Sequence, residues 1–142
     1  ASRGGGAQVD GRRIRVSKQT TLEGALVATG FPQRDNSRWL DDYMAMLKAM
    51  MLTTAGVRRP GAASLDLAYV AAGRVDGFWE IGLSAWDTAA GTLLITEAGG
   101  RIGTLTGQPY IQGGHVVAGT PKVFDELVAC IGPFVPANLR DV

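Results

Sequence analysis

The chain has 142 residues, 46% hydrophobic and 19% charged, and 14 Lys+Arg against 13 Asp+Glu give a formal net charge of +1. That composition suits one average globular domain with a real core; it offers no apolar run near the roughly 18 residues of a membrane-spanning helix and no electrostatic pull toward nucleic acid or a membrane surface. A single cysteine, Cys130, and a single histidine, His115, exclude an internal disulfide framework and a thiolate–imidazole zinc site, and they suit a reducing cytoplasm.

Ala1–Gly6 carries no apolar signal-peptide region, and the lack of a starting Met points to a piece of a longer chain. From Gln8 to Val16 the pattern predicts a hairpin turning at Asp10-Gly11. Leu26-Val27-Ala28, ending at Gly30 and Pro32, suits a buried strand. From Ser37 the period changes: Trp39, Leu40, Tyr43, Met44, Leu47, Met50 and Met51 recur at helical spacing, with Asn36 or Ser37 as cap and Gly56 as stop. A second helix is expected over Gly61–Ala72, closed by Gly73, then a strand over Val75–Gly82. A third helix is expected from about Asp87 to Ala98, closed by Gly99-Gly100. Val116-Val117 reads as a strand, and Thr120-Pro121 opens a last helix reaching Ile131. Strands alternating with helices predict a largely parallel sheet. A lone hairpin is marginal in water, so the N-terminal one is expected to join a second sheet whose other strands lie elsewhere.

Three places invite chemistry. Asp87, at a predicted helix start, serves either as an ordinary N-cap or as a carboxylate ligand for Mg²⁺ where a helix end faces phosphate oxygens. Gly61-Ala62-Ala63, after Arg58-Arg59-Pro60, opens a helix with small side chains and so exposes backbone donors to a polar ligand; a plain helix start has the same look. Glu80 leaves a strand toward a helix N-terminus, at the carboxyl edge where open α/β sheets hold ligands, or else is an exposed loop residue. His115, Cys130 and the methionines Met44, Met46, Met50 and Met51 read as packing. The Trp39–Met51 helix reads as core or a partner-facing surface, and Asp41-Asp42 as compensation of its dipole.

The run Trp86-Asp87-Thr88-Ala89-Ala90-Gly91, followed by Leu93-Leu94-Ile95 and Glu97-Ala98-Gly99-Gly100, resembles the C-terminal signature of the inositol monophosphatase family. Arg58 to Leu67, Val70 to Glu80, and the start from Gly4 through Asp10-Gly11 to Ser17 are also similar to bacterial members, so the resemblance covers the chain in order. It implies a layered α/β sandwich of the inositol monophosphatase or sugar phosphatase type. Residues 1–24 would be a hairpin and connection belonging to an N-terminal phosphatase domain, and 25–142 the C-terminal α/β domain. It implies Mg²⁺-dependent hydrolysis of a phosphate monoester of inositol or a related polyol, with Asp87 as metal and substrate ligand, Glu80 on sugar hydroxyls, and Gly61, Ala62 and Ala63 on the substrate.

The family's first metal signature, an Asp-Pro-x-Asp-Gly-Thr segment, is missing, as is any Asp-Pro pair. The chain alone is therefore expected to be inactive, with the N-terminal half of the same protein completing the site. Competing readings keep the chemistry and change the substrate to another small sugar or nucleotide phosphate, or replace catalysis by a non-catalytic interaction with transcription machinery. The resemblance also allows a homodimer.

Overall fold

The computed structural model describes residues 1–32, 34–59, 61–83, 85–109 and 114–139, with the side chains of 34, 35 and 85–87 outside the description. The hairpin forms as β1 (Ala7–Val9) and β2 (Arg12–Ile14). Its turn residues Asp10 and Gly11 both have positive φ, 51° and 77°, as a two-residue turn matching strand twist requires. Five further strands make the main sheet: β3 (Leu26–Thr29), β4 (Gly56–Arg58), β5 (Gly77–Leu83), β6 (Arg101–Gly103) and β7 (Gly114–Gly119). Four α-helices are α1 (Leu40–Thr53), α2 (Ala63–Ala71), α3 (Ala85–Glu97) and α4 (Pro121–Ile131).

The sheet order is β4-β3-β5-β7-β6. β3 is parallel to β4 and β5, whereas β7 is antiparallel to both β5 and β6. The expected largely parallel sheet is thus corrected to a mixed one, because a single reversed strand, β7, is inserted between strands of common direction. Alternation along the strands sorts the core onto two faces. Val27, Trp79 and Val117 pack with Tyr43, Met46 and Met50 of α1 and Val123, Phe124, Leu127 and Ile131 of α4. Ala28, Phe78, Val116 and Ala118 pack on the other face with Leu67, Val70 and Ala71 of α2, Ile95 of α3 and Ala98 just after it. The layered α/β sandwich is therefore the observed fold.

Several boundaries differ from the pattern reading. Residues Arg34–Trp39 form a 3₁₀ segment kinked at Asn36, so neither Asn36 nor Ser37 caps α1; Trp39 stands at the cap without a side-chain bond. Gly56 does not merely stop a helix but begins β4. At the last helix the expectation holds in detail, with Thr120 Oγ1 accepting the Val123 N–H at 3.2 Å. Asp41 and Asp42 lie in the first turn of α1. Among the described residues no helix is long and apolar enough to cross a membrane.

The hairpin docks on α3. Glu97 Oε1 accepts the Gly6 N–H at 2.8 Å, and bonds from the Gly4 and Gly6 backbone hold its carboxyl below the usual range. Val16 N–H donates to Ala98 O at 3.0 Å. On the far side, Asp76 anchors the connection, taking Ser17 Oγ at 2.5 Å and Leu26 N–H at 2.7 Å.

α2 and α3 meet closely at Gly91. A Cβ there would lie 2.6 Å from Leu67 Cδ1 and 2.7 Å from Leu67 Cβ, and Leu67 is fully buried. Gly91→Ala is expected to overpack this contact and cost about 1–3 kcal/mol. Urea unfolding of the chain should show a lower midpoint at unchanged slope; an unchanged midpoint would mean the two helices slide apart freely.

Candidate functional site

At the carboxyl ends of β3, β4 and β5 the sheet opens into a polar cleft of about 330 Å³, lined by Gly30, Phe31, Arg59, Glu80, Leu83 and the run Gly61–Ser64. Its position follows from topology. α2 leaves the carboxyl end of β4 and α3 that of β5, so both helix N-termini face this edge, each carrying the positive end of its dipole. The start of α2 is built to stay open. Gly61 has φ +101°, in the region L side chains rarely adopt, and Ala62 follows in extended conformation (φ −136°, ψ 111°) with no side-chain cap. The first N–H groups of α2 are thereby left without intrahelical partners, and small residues beside them leave room for an anion or a hydroxyl.

Glu80 brings the carboxylate. It lies half-buried near the end of β5, paired across the ladder with Val116, and leans over the end of β3: a Cβ on Gly30 would lie in contact with Glu80 Oε1. Arg59 supplies a cation at the rim, its guanidinium 4.4 Å from the Phe31 ring centroid. Beneath the cleft, Thr29 Oγ1 donates to Trp79 O at 3.0 Å, so the Tyr43 hydroxyl donates to Thr29 at 2.9 Å, tying α1 to β3 and β5. Burial pushes the Tyr43 hydroxyl up to about 12, and the nearby Glu80 charge adds to it.

The cleft thus gathers Gly61, Ala62, Ala63 and Glu80, singled out from sequence, with Gly30, Phe31, Arg59 and Ser64. Of the latter, Arg59 stands in the sequence only as part of the run that precedes Gly61. Gly30 signalled itself only as the end of a buried strand before Pro32. Asp87 lies in the first turn of α3, two residues inside its start and not at the cap; its side chain is outside the described residues. Among the described residues no three His, Cys, Asp or Glu side chains converge. By themselves they do not make a cage for Mg²⁺, an ion that takes octahedral oxygen coordination.

One further carboxylate was missed. Asp66, on the buried face of α2, is 1% exposed, and among the described residues neither of its oxygens has a hydrogen-bond partner. Burial pushes its carboxyl up to about 6.

A cleft at the carboxyl edge of an open sheet, between two helix starts, is where α/β proteins receive small polar ligands. The chain belongs to the inositol monophosphatase family, whose model matches residues 1–135. It is 56% identical over 142 residues to the Nus factor SuhB of Pseudomonas aeruginosa, covering 99% of this chain and 52% of that protein. Among solved structures it is similar to the extragenic suppressor protein SuhB of Bartonella henselae (42% identity, TM-score 0.87, 92% of this chain and 50% of the other). It is also similar to the inositol monophosphatase of Anabaena (Nostoc) sp. PCC 7120 (37% identity, TM-score 0.87, 96% and 57%). The chain spans about half the length of the curated relatives it matches.

Proposed function

We propose that this chain is the C-terminal half of a Mg²⁺-dependent phosphatase acting on inositol monophosphate or a related small polyol phosphate. The observation that supports this best is the cleft itself, which puts the uncapped start of α2 and the Glu80 carboxylate on one ligand-sized space. An uncapped helix start suits phosphate or hydroxyl oxygens, and a carboxylate accepts hydrogen bonds from a polyol. In this reading Gly61, Ala62, Ala63 and Glu80 bind substrate and Asp87 is one metal ligand. The other ligands come from an N-terminal half, residues 1–24 belong with that half and 25–142 form the C-terminal domain. When bound, Mg²⁺ would supply charge neutralisation at the phosphate. The reducing environment that suits the single Cys130 favours a cytoplasmic protein.

The relatives named Nus factors favour a second reading, a non-catalytic role with transcription machinery. α1 offers a surface for such a partner, or for a homodimer, in Met44, Met51 and Leu52, which are 49%, 63% and 78% exposed.

Phosphate release from inositol 1-phosphate with excess Mg²⁺ tests the first reading, on the chain alone and after mixing with an N-terminal half. Activity is expected only in the mixture, and Asp87→Asn should abolish it. Activity in the chain alone would refute the division of ligands. A mixture that binds its partner yet releases no phosphate from inositol, sugar or nucleotide monoesters would favour the second reading.

A further inference from the structure

The ladder between β5 and β7 is regular from Gly77↔Gly119 to Glu80↔Val116 and resumes at Leu83↔Gly114. Between these pairs two residues of β5, Ile81 and Gly82, oppose one residue of β7, His115. Gly82 adopts φ +85° there. This is a β-bulge, a device that re-aims side chains next to functional sites. A bulge strips a backbone N–H of its ladder partner, and at exposed Gly82 that N–H points inward to a partly buried bond. Here the Gly82 N–H donates to His115 Nδ1 at 3.0 Å, so the imidazole stands in for the missing carbonyl.

The imidazole is fixed for that task. His115 is buried, and its ring meets Trp39 edge to face with centroids 5.1 Å apart. Arg38 covers the Trp39 ring at 3.8 Å. Since Nδ1 accepts, the proton of the neutral ring sits on Nε2, which has no hydrogen-bond partner among the described residues. The side chain of Asn36 closes the other side of the turn, where a Cβ on Gly82 would collide with it. Glu80, the last regularly paired residue before this turn, lines the cleft.

We infer that His115 is a positioning residue: by accepting the Gly82 N–H it fixes the bulge that aims Glu80 into the cleft. This rests on the reading of Glu80 as the group that binds substrate hydroxyls. The test compares Glu80→Gln, His115→Leu and His115→Asn in the phosphatase with both halves present. His115→Leu should raise KM for inositol 1-phosphate about 10-fold, the worth of one hydrogen bond, with kcat little changed. His115→Asn, whose Oδ1 can reach the place of Nδ1, should restore most of the loss. If Glu80→Gln leaves KM unchanged, the reading of Glu80 fails. If Glu80→Gln raises KM but His115→Leu does not, or if Asn rescues nothing, the positioning role is overturned. Should His115→Leu not fold, imidazole nitrogen NMR shifts of the 142-residue chain decide. A ring protonated at Nε2 and accepting at Nδ1 is expected, and the opposite tautomer would overturn the role.

Discussion

Gly30→Ala should cut kcat/KM of the two-half phosphatase about 100-fold while leaving its melting temperature nearly unchanged. Gly30 directly follows β3, and the carboxylate of Glu80 occupies the space where any side chain at position 30 would begin. The backbone at Gly30 is not in the left-handed region, so alanine fits the chain conformation, and the three atoms nearest its Cβ all belong to the Glu80 side chain. Glu80 must then swing away by more than an ångström. A displacement of about 1 Å in a positioning group can cost about 100-fold in rate. Glu80→Gln keeps the shape and removes only the charge, so its effect should be smaller than that of Gly30→Ala. Equal activity of Gly30→Ala and the parent would show that Glu80 does not contact the substrate.

The parts of the fold that local chemistry determines were legible before the structure. Asp10-Gly11 announces its turn because few residue pairs tolerate two successive positive φ values. Thr120-Pro121 announces α4 because the hydroxyl and the missing proline N–H both suit a helix start. Where tertiary partners decide, the pattern failed. β4 and β6 have three residues each, too few to show a period, and exist only because β3 and β7 supply their hydrogen bonds. Asn36 has the chemistry of a cap but sits against the Gly82 turn, leaving the start of α1 to Trp39.

The candidate cleft divides the same way. Its position at the carboxyl edge followed from the order of strands and helices, and Glu80 followed from its place near the end of β5. The demand for glycine at position 30 arises from a side chain on another strand. Likewise His115 looks like packing in sequence, because its acceptor role is created by a bulge in the neighbouring strand. Residues whose task is set by a non-local neighbour carry no local mark.

Asp66→Asn is expected to stabilise the 142-residue chain at pH 7 by on the order of 3 kcal/mol, with the gain fading as the pH falls. Asp66 shares the buried face of α2 with Leu67, Val70 and Ala71, and its two oxygens have no hydrogen-bond partner among the described residues. Removal from water without a partner penalises the charged form, which is why the carboxyl is pushed up from 3.8 to about 6. The folded chain therefore holds this proton more tightly than the unfolded chain between those two values. Stability then falls as pH rises through that window, opposite to a salt-bridged carboxylate, and the full penalty is present above pH 6. Denaturant titrations of both variants from pH 4 to 7 isolate this one group, because every other titration is common to the pair. The two curves should converge near pH 4 and separate by pH 7. A loss of stability in Asp66→Asn at pH 7 would show instead that the carboxylate is held by a donor, and that its charge favours the fold.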